Sequence, residues 1–330
     1  MKRVESSSTE LHHSEHSIEG LVLRSTGSWY EVQPNQSEEI VSCRAGGRLR
    51  LLDTRSTNPI AVGDRVKFVL DEADGTGLIT ELETRVNFIV RKSVNLSKET
   101  HVVAANLDRA FLIITVSEPR TSTGFMDRFL VTAEAYGVPT TIVINKLDQC
   151  VSGSKAESLM QEYRDIYQQS GYGVLLTSVK TGEGLDSLKS ILAASGVNLL
   201  SGHSGVGKSS LINALMPELN LKTGDVSASH NKGKHTTTFA EMFKLTSGGY
   251  IIDTPGIKGF GLFALEKDKI HHYFPEMFSR LNACKFHNCT HMNEPKCAVR
   301  AAVEANEISY SRYQNYVELM EKFDEDSTYR

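Results

Sequence analysis

The sequence contains no long hydrophobic run. Its longest apolar stretch, Ala110-Phe111-Leu112-Ile113-Ile114-Thr115-Val116, has the length of one buried strand and is far too short to cross a membrane as a helix. Residues 1–17 are rich in serine, histidine and glutamate and lack the apolar core of a secretory signal. We therefore predict a cytoplasmic protein with no membrane contact, in which residues 1–17 form a disordered tail.

A strong net charge and abundant cysteine are also missing. The formal net charge is −4 over 330 residues, so overall basicity does not indicate a nucleic-acid partner. Residues 41–70 do contain six basic and two acidic side chains, a balance that fits either a phosphate-facing surface or a solvated rim. Three of the five cysteines lie between residues 284 and 297, and inside a cell such crowding favours a metal site over disulfides.

The clearest motif that is present is a phosphate-binding loop. Residues 202–209 read G-x-x-x-x-G-K-S, after a short apolar strand and before a helical pattern. The glycines allow backbone N–H groups to turn towards a phosphate at a helix N-terminus. Lys208 would reach the outer phosphates, and the Ser209 hydroxyl would bind Mg²⁺. The predicted phosphate-side contacts are Gly202, His203, Ser204, Gly205, Val206, Gly207, Lys208, Ser209 and Ser210.

A second motif, Asn145-Lys146-Leu147-Asp148, directly follows a predicted buried strand. The Asp148 carboxylate can accept hydrogen bonds from the ring N–H and the exocyclic amine of guanine, a donor pair that adenine does not offer. The Asn145 amide can bond the other ring edge, and the Lys146 stem can cover the base face. Ser178-Val179-Lys180, at the end of another predicted strand, can offer a backbone N–H to the guanine carbonyl. These segments predict a guanine nucleotide.

Two later segments complete the predicted nucleotide site. Asp253-Thr254-Pro255-Gly256 follows a strand, so that Asp253 can hold Mg²⁺ through water and the Gly256 N–H can meet the terminal phosphate. In the polar stretch 222–238, Thr237 or Thr236 could coordinate Mg²⁺, and the alternative is an ordinary surface loop. Many GTPases place glutamine where this chain has Ile257. An apolar side chain cannot orient water, so we predict slow intrinsic hydrolysis.

The order of predicted strands and helices divides the chain into three domains. Short strands separated by glycine-containing turns predict a small β-barrel, an OB-fold, in residues 18–97. Alternating strands and helices predict a doubly wound parallel α/β sheet in residues 98–265. Residues 266–330 are predicted to form a small α-rich metal-binding domain with a C-terminal helix.

The cysteine cluster has the spacing of a metal site. Cys284, Cys289 and Cys297 together with His287 or His291 would supply three thiolates and one imidazole. Four such ligands close a tetrahedral Zn²⁺ site and leave no open position, which makes the site structural. Metal binding would help to fold a segment that has little apolar core of its own.

The motif order resembles that of circularly permuted GTPases, because the guanine motif precedes the phosphate loop and D-T-P-G comes last. With the barrel and the cysteine motif, residues 18 to about 325 resemble the ribosome small-subunit-dependent GTPase A family (RsgA). The resemblance implies GTP or GDP with Mg²⁺, and one structural Zn²⁺ held by Cys284, Cys289, His291 and Cys297. It implies that His235 is catalytic, and that the barrel and zinc domain contact ribosomal RNA. We expect a monomer that binds the immature small ribosomal subunit, hydrolyses GTP there and leaves late in assembly.

Two other functions are compatible with the motifs. An RNA-binding assembly scaffold could hold guanine nucleotide with little catalysis, and the absence of subunit-stimulated phosphate release would favour it. A kinase could use the same phosphate loop, although the guanine motif and D-T-P-G argue against it. Preference for ATP in a competition assay would favour the kinase.

Overall fold

The structure is a computed structural model that describes residues 17–47, 49, 58–71, 73–92, 100–219, 240–253 and 265–327. The predicted tail, except for its last residue, lies outside the described residues. No helix in the described ranges combines the length and the apolar character that crossing a bilayer requires.

The N-terminal part is a closed five-stranded barrel. Its strands are β1 (Ile18–Ser25), β2 (Tyr30–Pro34), β3 (Val41–Ala45), β4 (Arg65–Leu70) and β5 (Gly77–Leu82). They pair in the order β1-β2-β3-β5-β4, and β4 pairs back onto β1. Alternate side chains point inward, with Val22, Val32, Phe68 and Ile79 in the core. This closed arrangement confirms the predicted OB-fold.

A two-stranded hairpin links the barrel to the rest of the chain. It consists of β6 (Phe88–Lys92) and β7 (Thr100–Ala105), and it spans the domain boundary predicted between residues 97 and 98. The buried amide of Asn58 donates to the Val102 carbonyl oxygen at 2.8 Å and accepts from the Val102 N–H at 3.0 Å. The Asn58 side chain thus makes the pair of hydrogen bonds to Val102 that the backbone of a neighbouring strand would make.

The central part is a doubly wound sheet, as predicted. Its strands are β8 (Arg109–Ile114), β9 (Thr140–Ile144), β10 (Gly173–Leu176), β11 (Val197–Ser201), β12 (Glu241–Lys244) and β13 (Tyr250–Asp253). They lie in the order β10-β9-β8-β11-β13-β12, in which the edge strand β12 is antiparallel. Its helices are α1 (Thr123–Ala135), α2 (Lys155–Gln169), α3 (Leu185–Ala194) and α4 (Lys208–Leu215).

Helices cover both faces of this sheet. In β8, Leu112 packs in the core formed with α1 and α2, and the next residue, Ile113, packs in the core formed with α3 and α4. A strand buried on both faces reads as a continuous apolar run, which is why the sequence pattern located these strands.

The barrel extends the central sheet. Arg24 of β1 pairs with Glu241 of β12, so the strands of both parts form one hydrogen-bonded sheet. Beside this junction the Tyr250 hydroxyl donates to Gln33 Oε1 at 3.2 Å. The barrel is therefore attached to the central sheet through β12.

The C-terminal part packs on α1. Its helices are α5 (Pro275–Phe278), α6 (Ala298–Glu304) and α7 (Tyr310–Ser327). Phe274, Met277, Ile308 and Tyr316 form a core that also includes Val131 from α1. The α-rich domain and the C-terminal helix are as predicted.

A fully buried arginine joins this part to the central sheet. Arg312 of α7 donates from Nη1 to Asp127 Oδ1 at 2.6 Å and from Nε to Glu276 Oε1 at 2.7 Å. Asp127, on α1, also accepts from the Tyr167 hydroxyl at 2.8 Å and from Asn315 Nδ2 at 2.6 Å. Although burial disfavours the charge, the two carboxylates hold the pKa of Arg312 well above its usual value.

Replacing Arg312 should destabilise the protein strongly. We expect Arg312→Met to lower the free energy of unfolding by about 3–5 kcal/mol, because the carboxylates of Asp127 and Glu276 would be left buried without their cation. Urea unfolding measures the change. The matched control is Lys322→Met, which breaks the exposed pair with Glu318 on the same helix and should have little effect. Equal losses in the two variants would contradict a role for the buried network.

Candidate functional site

The candidate site lies where the loops after several parallel strands meet. The connection after β8 leads to β9 on one side, whereas that after β11 leads to β12 and then β13 on the other. In open α/β sheets, ligands bind outside the carboxyl ends of the strands at such a reversal. The structure brings to this edge the loops at residues 115–122, 145–148, 177–184 and 202–207.

The phosphate loop has the backbone that its glycines predict. It begins after β11 and leads into α4, which starts at Lys208. Gly205 and Gly207 have φ values of +85° and +88°, a region that favours glycine. A Cβ atom on Gly207 would also lie 2.5 Å from Asn145 Nδ2. The N-terminus of α4 therefore follows a tight turn and favours an anion.

The amide of Asn145 connects three of these loops. It is 3% exposed, donates from Nδ2 to the Val206 carbonyl oxygen at 2.9 Å, and accepts from Thr177 Oγ1 at 3.1 Å. The motif predicts that this side chain bonds the base edge. The structure adds that its oxygen and one of its two amide hydrogens hold the neighbouring loops, so one hydrogen is left for a base.

The predicted base-binding residues lie beside Asn145. The Ser178 hydroxyl donates to Asp148 Oδ1 at 2.7 Å, which orients the carboxylate. The Ser178 N–H itself donates to the Glu183 carbonyl oxygen at 3.0 Å. Within Ser178-Val179-Lys180, a backbone N–H for a guanine carbonyl would therefore come from Val179 or Lys180.

The predicted magnesium ligands are only partly within the described residues. Asp253 Oδ1 is buried, makes no hydrogen bond in the described part of the chain, and lies 3.5 Å from Lys208 Nζ. A buried carboxylate oxygen that is paired only with an ammonium group, close to the start of α4 where Ser209 is half-buried, fits a hydrated Mg²⁺. The other predicted residues of this region, His235, Thr236, Thr237, Gly256 and Ile257, lie outside the described residues.

A second candidate site is the predicted cysteine cluster. The ligand atoms of Cys284, Cys289, His291 and Cys297 all lie within 4.8 Å of one another. His291 Nδ1 is 3.7 Å from Cys284 Sγ and 3.3 Å from Cys297 Sγ. His287 is exposed and is not part of this group. Of the two histidines that the spacing allowed, the structure brings His291 to the cysteines.

The chemistry of this cluster fits a divalent cation. Burial raises the pKa of the Cys289 and Cys297 thiols and lowers the pKa of His291. The environment thus disfavours charged thiolates unless a cation compensates them. Two tyrosine hydroxyls of α7 hold the loop, since Tyr313 donates to the His291 carbonyl oxygen at 2.8 Å and Tyr316 to that of Thr290 at 2.6 Å.

Glu294 organises the loop between the last two cysteines, a role that no motif in the sequence indicates. Its carboxylate accepts from the Thr290 N–H at 2.7 Å and hydroxyl at 2.6 Å, and from the N–H groups of Met292 and Asn293 at 3.1 Å each. Burial opposes the charge, but these hydrogen bonds lower its pKa from 4.5 to about 2. Its stabilising effect is therefore complete above pH 4.5 and is lost as the pH falls through about 2.

Known proteins resemble the chain over nearly its whole length. Sequence profiles of the RsgA N-terminal domain and the RsgA GTPase match residues 19–79 and 82–263. The small ribosomal subunit biogenesis GTPase RsgA of Bacteroides fragilis is 51% identical over 308 residues, 93% of this chain and 98% of the relative. Its namesake in Flavobacterium psychrophilum is 51% identical over 313 residues, 94% of each chain.

Two solved structures have the same fold. YjeQ from Thermotoga maritima is 34% identical with a TM-score of 0.75, over 93% of this chain and 98% of that one. YloQ, described as a circularly permuted GTPase, is 31% identical with a TM-score of 0.72, over 95% of this chain and 97% of that one. Both likenesses extend beyond the central sheet to the barrel and the C-terminal part.

Replacing Glu294 should weaken metal binding by the cysteine cluster. In Glu294→Gln the side-chain amide cannot accept all four hydrogen bonds, so we expect the affinity for Co²⁺, a spectroscopic probe of thiolate ligands, to fall about tenfold or more. Titration against a competing chelator measures it. Glu304→Gln, on the exposed side of α6, is the control. Equal affinities in the two variants would show that Glu294 does not support the site.

Proposed function

We infer the function from one premise: the chain belongs to the RsgA GTPase family. It is a circularly permuted GTPase, in which the guanine motif precedes the phosphate loop. We propose that it binds the immature small ribosomal subunit, hydrolyses GTP to GDP and phosphate there, and assists late maturation. The names of the curated relatives support the ribosomal role. The observation that carries the GTPase chemistry is the meeting of the guanine motif and the phosphate loop on the Asn145 amide.

Base recognition rests on Asp148. We propose that its carboxylate, oriented by Ser178, accepts from the ring N–H and the exocyclic amine of guanine. The remaining Asn145 amide hydrogen would donate to the other ring edge, and the Lys146 stem would cover the base. The further contacts proposed are Leu147, Val179 and Lys180.

Phosphate binding rests on the turn from β11 into α4. The loop N–H groups of residues 202–210 would bind the phosphate oxygens, and Lys208 would neutralise the outer ones. Ser209, Asp253 and either Thr237 or Thr236 would hold Mg²⁺, which neutralises charge that develops on the phosphates. The Gly256 N–H would meet the terminal phosphate. Asp253 supports this assignment because its buried Oδ1 lies 3.5 Å from Lys208 Nζ and makes no hydrogen bond to the described residues.

The group that orients the attacking water is proposed to be His235. The residue after Gly256 is Ile257, so the usual position for a water-orienting side chain is apolar. His235 lies in the segment 233–238 with the candidate Mg²⁺ threonines, and an imidazole can exchange a proton near neutral pH. The lack of a water-orienting side chain at Ile257 also supports the alternative, an assembly scaffold that binds guanine nucleotide with little catalysis.

Three thiolates with one imidazole suit Zn²⁺ in a closed structural site. We propose that the barrel and the zinc domain contact ribosomal RNA, and that the protein acts as a cytoplasmic monomer. The proposed domains are the barrel at 18–97, the GTPase domain at 98–265 and the zinc domain at 266–330, after a tail at 1–17.

Hydrolysis measured with and without purified small subunits tests the proposal. We expect subunits to stimulate single-turnover phosphate release, and His235→Ala to lower the stimulated rate about 100-fold or more while GDP affinity is retained. The control is Lys189→Ala, which changes an exposed side chain of α3. Wild-type rates in His235→Ala would remove this residue from the mechanism. No stimulation of the wild type would favour the scaffold.

Base specificity gives a separate prediction. Asp148→Asn should weaken binding of GDP by at least about 10-fold, because a guanine donor is left facing the amide N–H₂. Binding of xanthosine diphosphate, which has an oxygen in place of the amine, should improve. Fluorescence competition measures both. The control is Asp165→Asn on the exposed side of α2, and equal affinities in the two variants would place the base elsewhere.

A further inference from the structure

The imidazole of His203, inside the phosphate loop, has a polar partner at each nitrogen. Nε2 is 2.6 Å from Thr121 Oγ1, and Nδ1 is 3.0 Å from the Ser204 carbonyl oxygen. A carbonyl oxygen only accepts, so Nδ1 carries the proton, and Nε2 of the neutral ring accepts from the Thr121 hydroxyl. The ring also meets Phe125 edge-on, with centroids 5.6 Å apart.

Thr121 is a fixed anchor. It is 1% exposed, and its Oγ1 accepts from the Thr115 N–H at 3.2 Å. Its own N–H donates to the Thr115 carbonyl oxygen at 2.9 Å, and its carbonyl oxygen accepts from the Tyr163 hydroxyl at 2.9 Å. Together with the contact to the His203 imidazole, these bonds give each polar atom of Thr121 a partner. The Thr121 O–H is therefore held pointing at His203.

The segment that contains Thr121 touches the nucleotide loops at two further points. We call residues 115–122, between β8 and α1, the support loop. The ring of Pro119 lies 3.1 Å from where a Cβ atom on Gly205 would be. The Glu118 carbonyl oxygen accepts from Lys146 Nζ at 2.7 Å. The support loop thus contacts both the phosphate loop and the guanine motif.

We propose that His203 is a positioning residue for nucleotide binding. Its imidazole ties the phosphate loop to the support loop, so that the loop N–H groups are already aimed before phosphate arrives. The G-x-x-x-x-G-K-S motif sets no side-chain requirement at this position, so the role does not follow from the motif. An anchored loop loses less conformational freedom on binding, and the gain appears as affinity. The inference rests on the proposed guanine-nucleotide site.

Affinities of labelled GDP and of GTP for five proteins test this role. They are wild type, His203→Ala, His203→Gln, Thr121→Val and the double variant His203→Ala/Thr121→Val, which completes a cycle. Loss of one hydrogen bond predicts a loss of about 3- to 10-fold for His203→Ala with both nucleotides. His203→Gln should recover most of it, because its amide oxygen can accept from the Thr121 hydroxyl. The double variant should bind no more weakly than the weaker single variant.

Several results would overturn the proposal. One is a nucleotide affinity of His203→Ala within twofold of the wild-type value. Another is an affinity of His203→Gln as low as that of His203→Ala. The third is a loss of affinity in the double variant equal to the product of the two single-variant losses. Melting temperatures of the nucleotide-free proteins report folding, since Thr121→Val also deprives the Thr115 N–H of its acceptor. If that variant does not fold, the two His203 variants decide. Failure of the wild type to bind guanine nucleotides would instead refute the proposed function.

Discussion

One buried amide holds the proposed nucleotide site together. Asn145 donates to the phosphate loop at Val206 and accepts from Thr177 at the start of the loop that ends in α3, while its own loop carries Asp148. Three segments that are far apart in the sequence are therefore fixed relative to one another. Fixing loops costs conformational entropy. Here the loops lose that entropy when the protein folds, so ligand binding does not have to order them. Only glycine at position 207 leaves room for this amide.

A buried charge network performs a comparable task on α1, at Asp127. Arg312 joins α7 and α5 to Asp127, and the support loop leads directly into the same helix through its N-cap, Ser122. The helix therefore lies between the contact to the phosphate loop and the contact to the C-terminal part. The circular permutation places the D-T-P-G segment immediately before that part of the chain.

The features that the sequence predicted correctly are those that leave a pattern within a short stretch of the chain. Buried parallel strands are apolar runs, and a base-binding aspartate or a phosphate-binding lysine sits at a fixed offset from a strand end. The cysteine ligands lie within 14 residues. Side-chain pairs between remote segments have no such pattern: Asp127 and Arg312 are 185 residues apart, and Thr121 and His203 are 82 apart. The spacing left both His287 and His291 open, the family resemblance implied His291, and the tertiary fold leaves His287 exposed.

A crystal structure of the chain with GDP tests the central claim most directly. The account predicts that the ring N–H and the exocyclic amine of guanine both lie about 3 Å from the Asp148 carboxylate. It also predicts that the β-phosphate lies at the N-terminus of α4, with the bond from Asn145 to Val206 retained. A base bound away from Asp148, or an Asn145 side chain released from Val206, would contradict it.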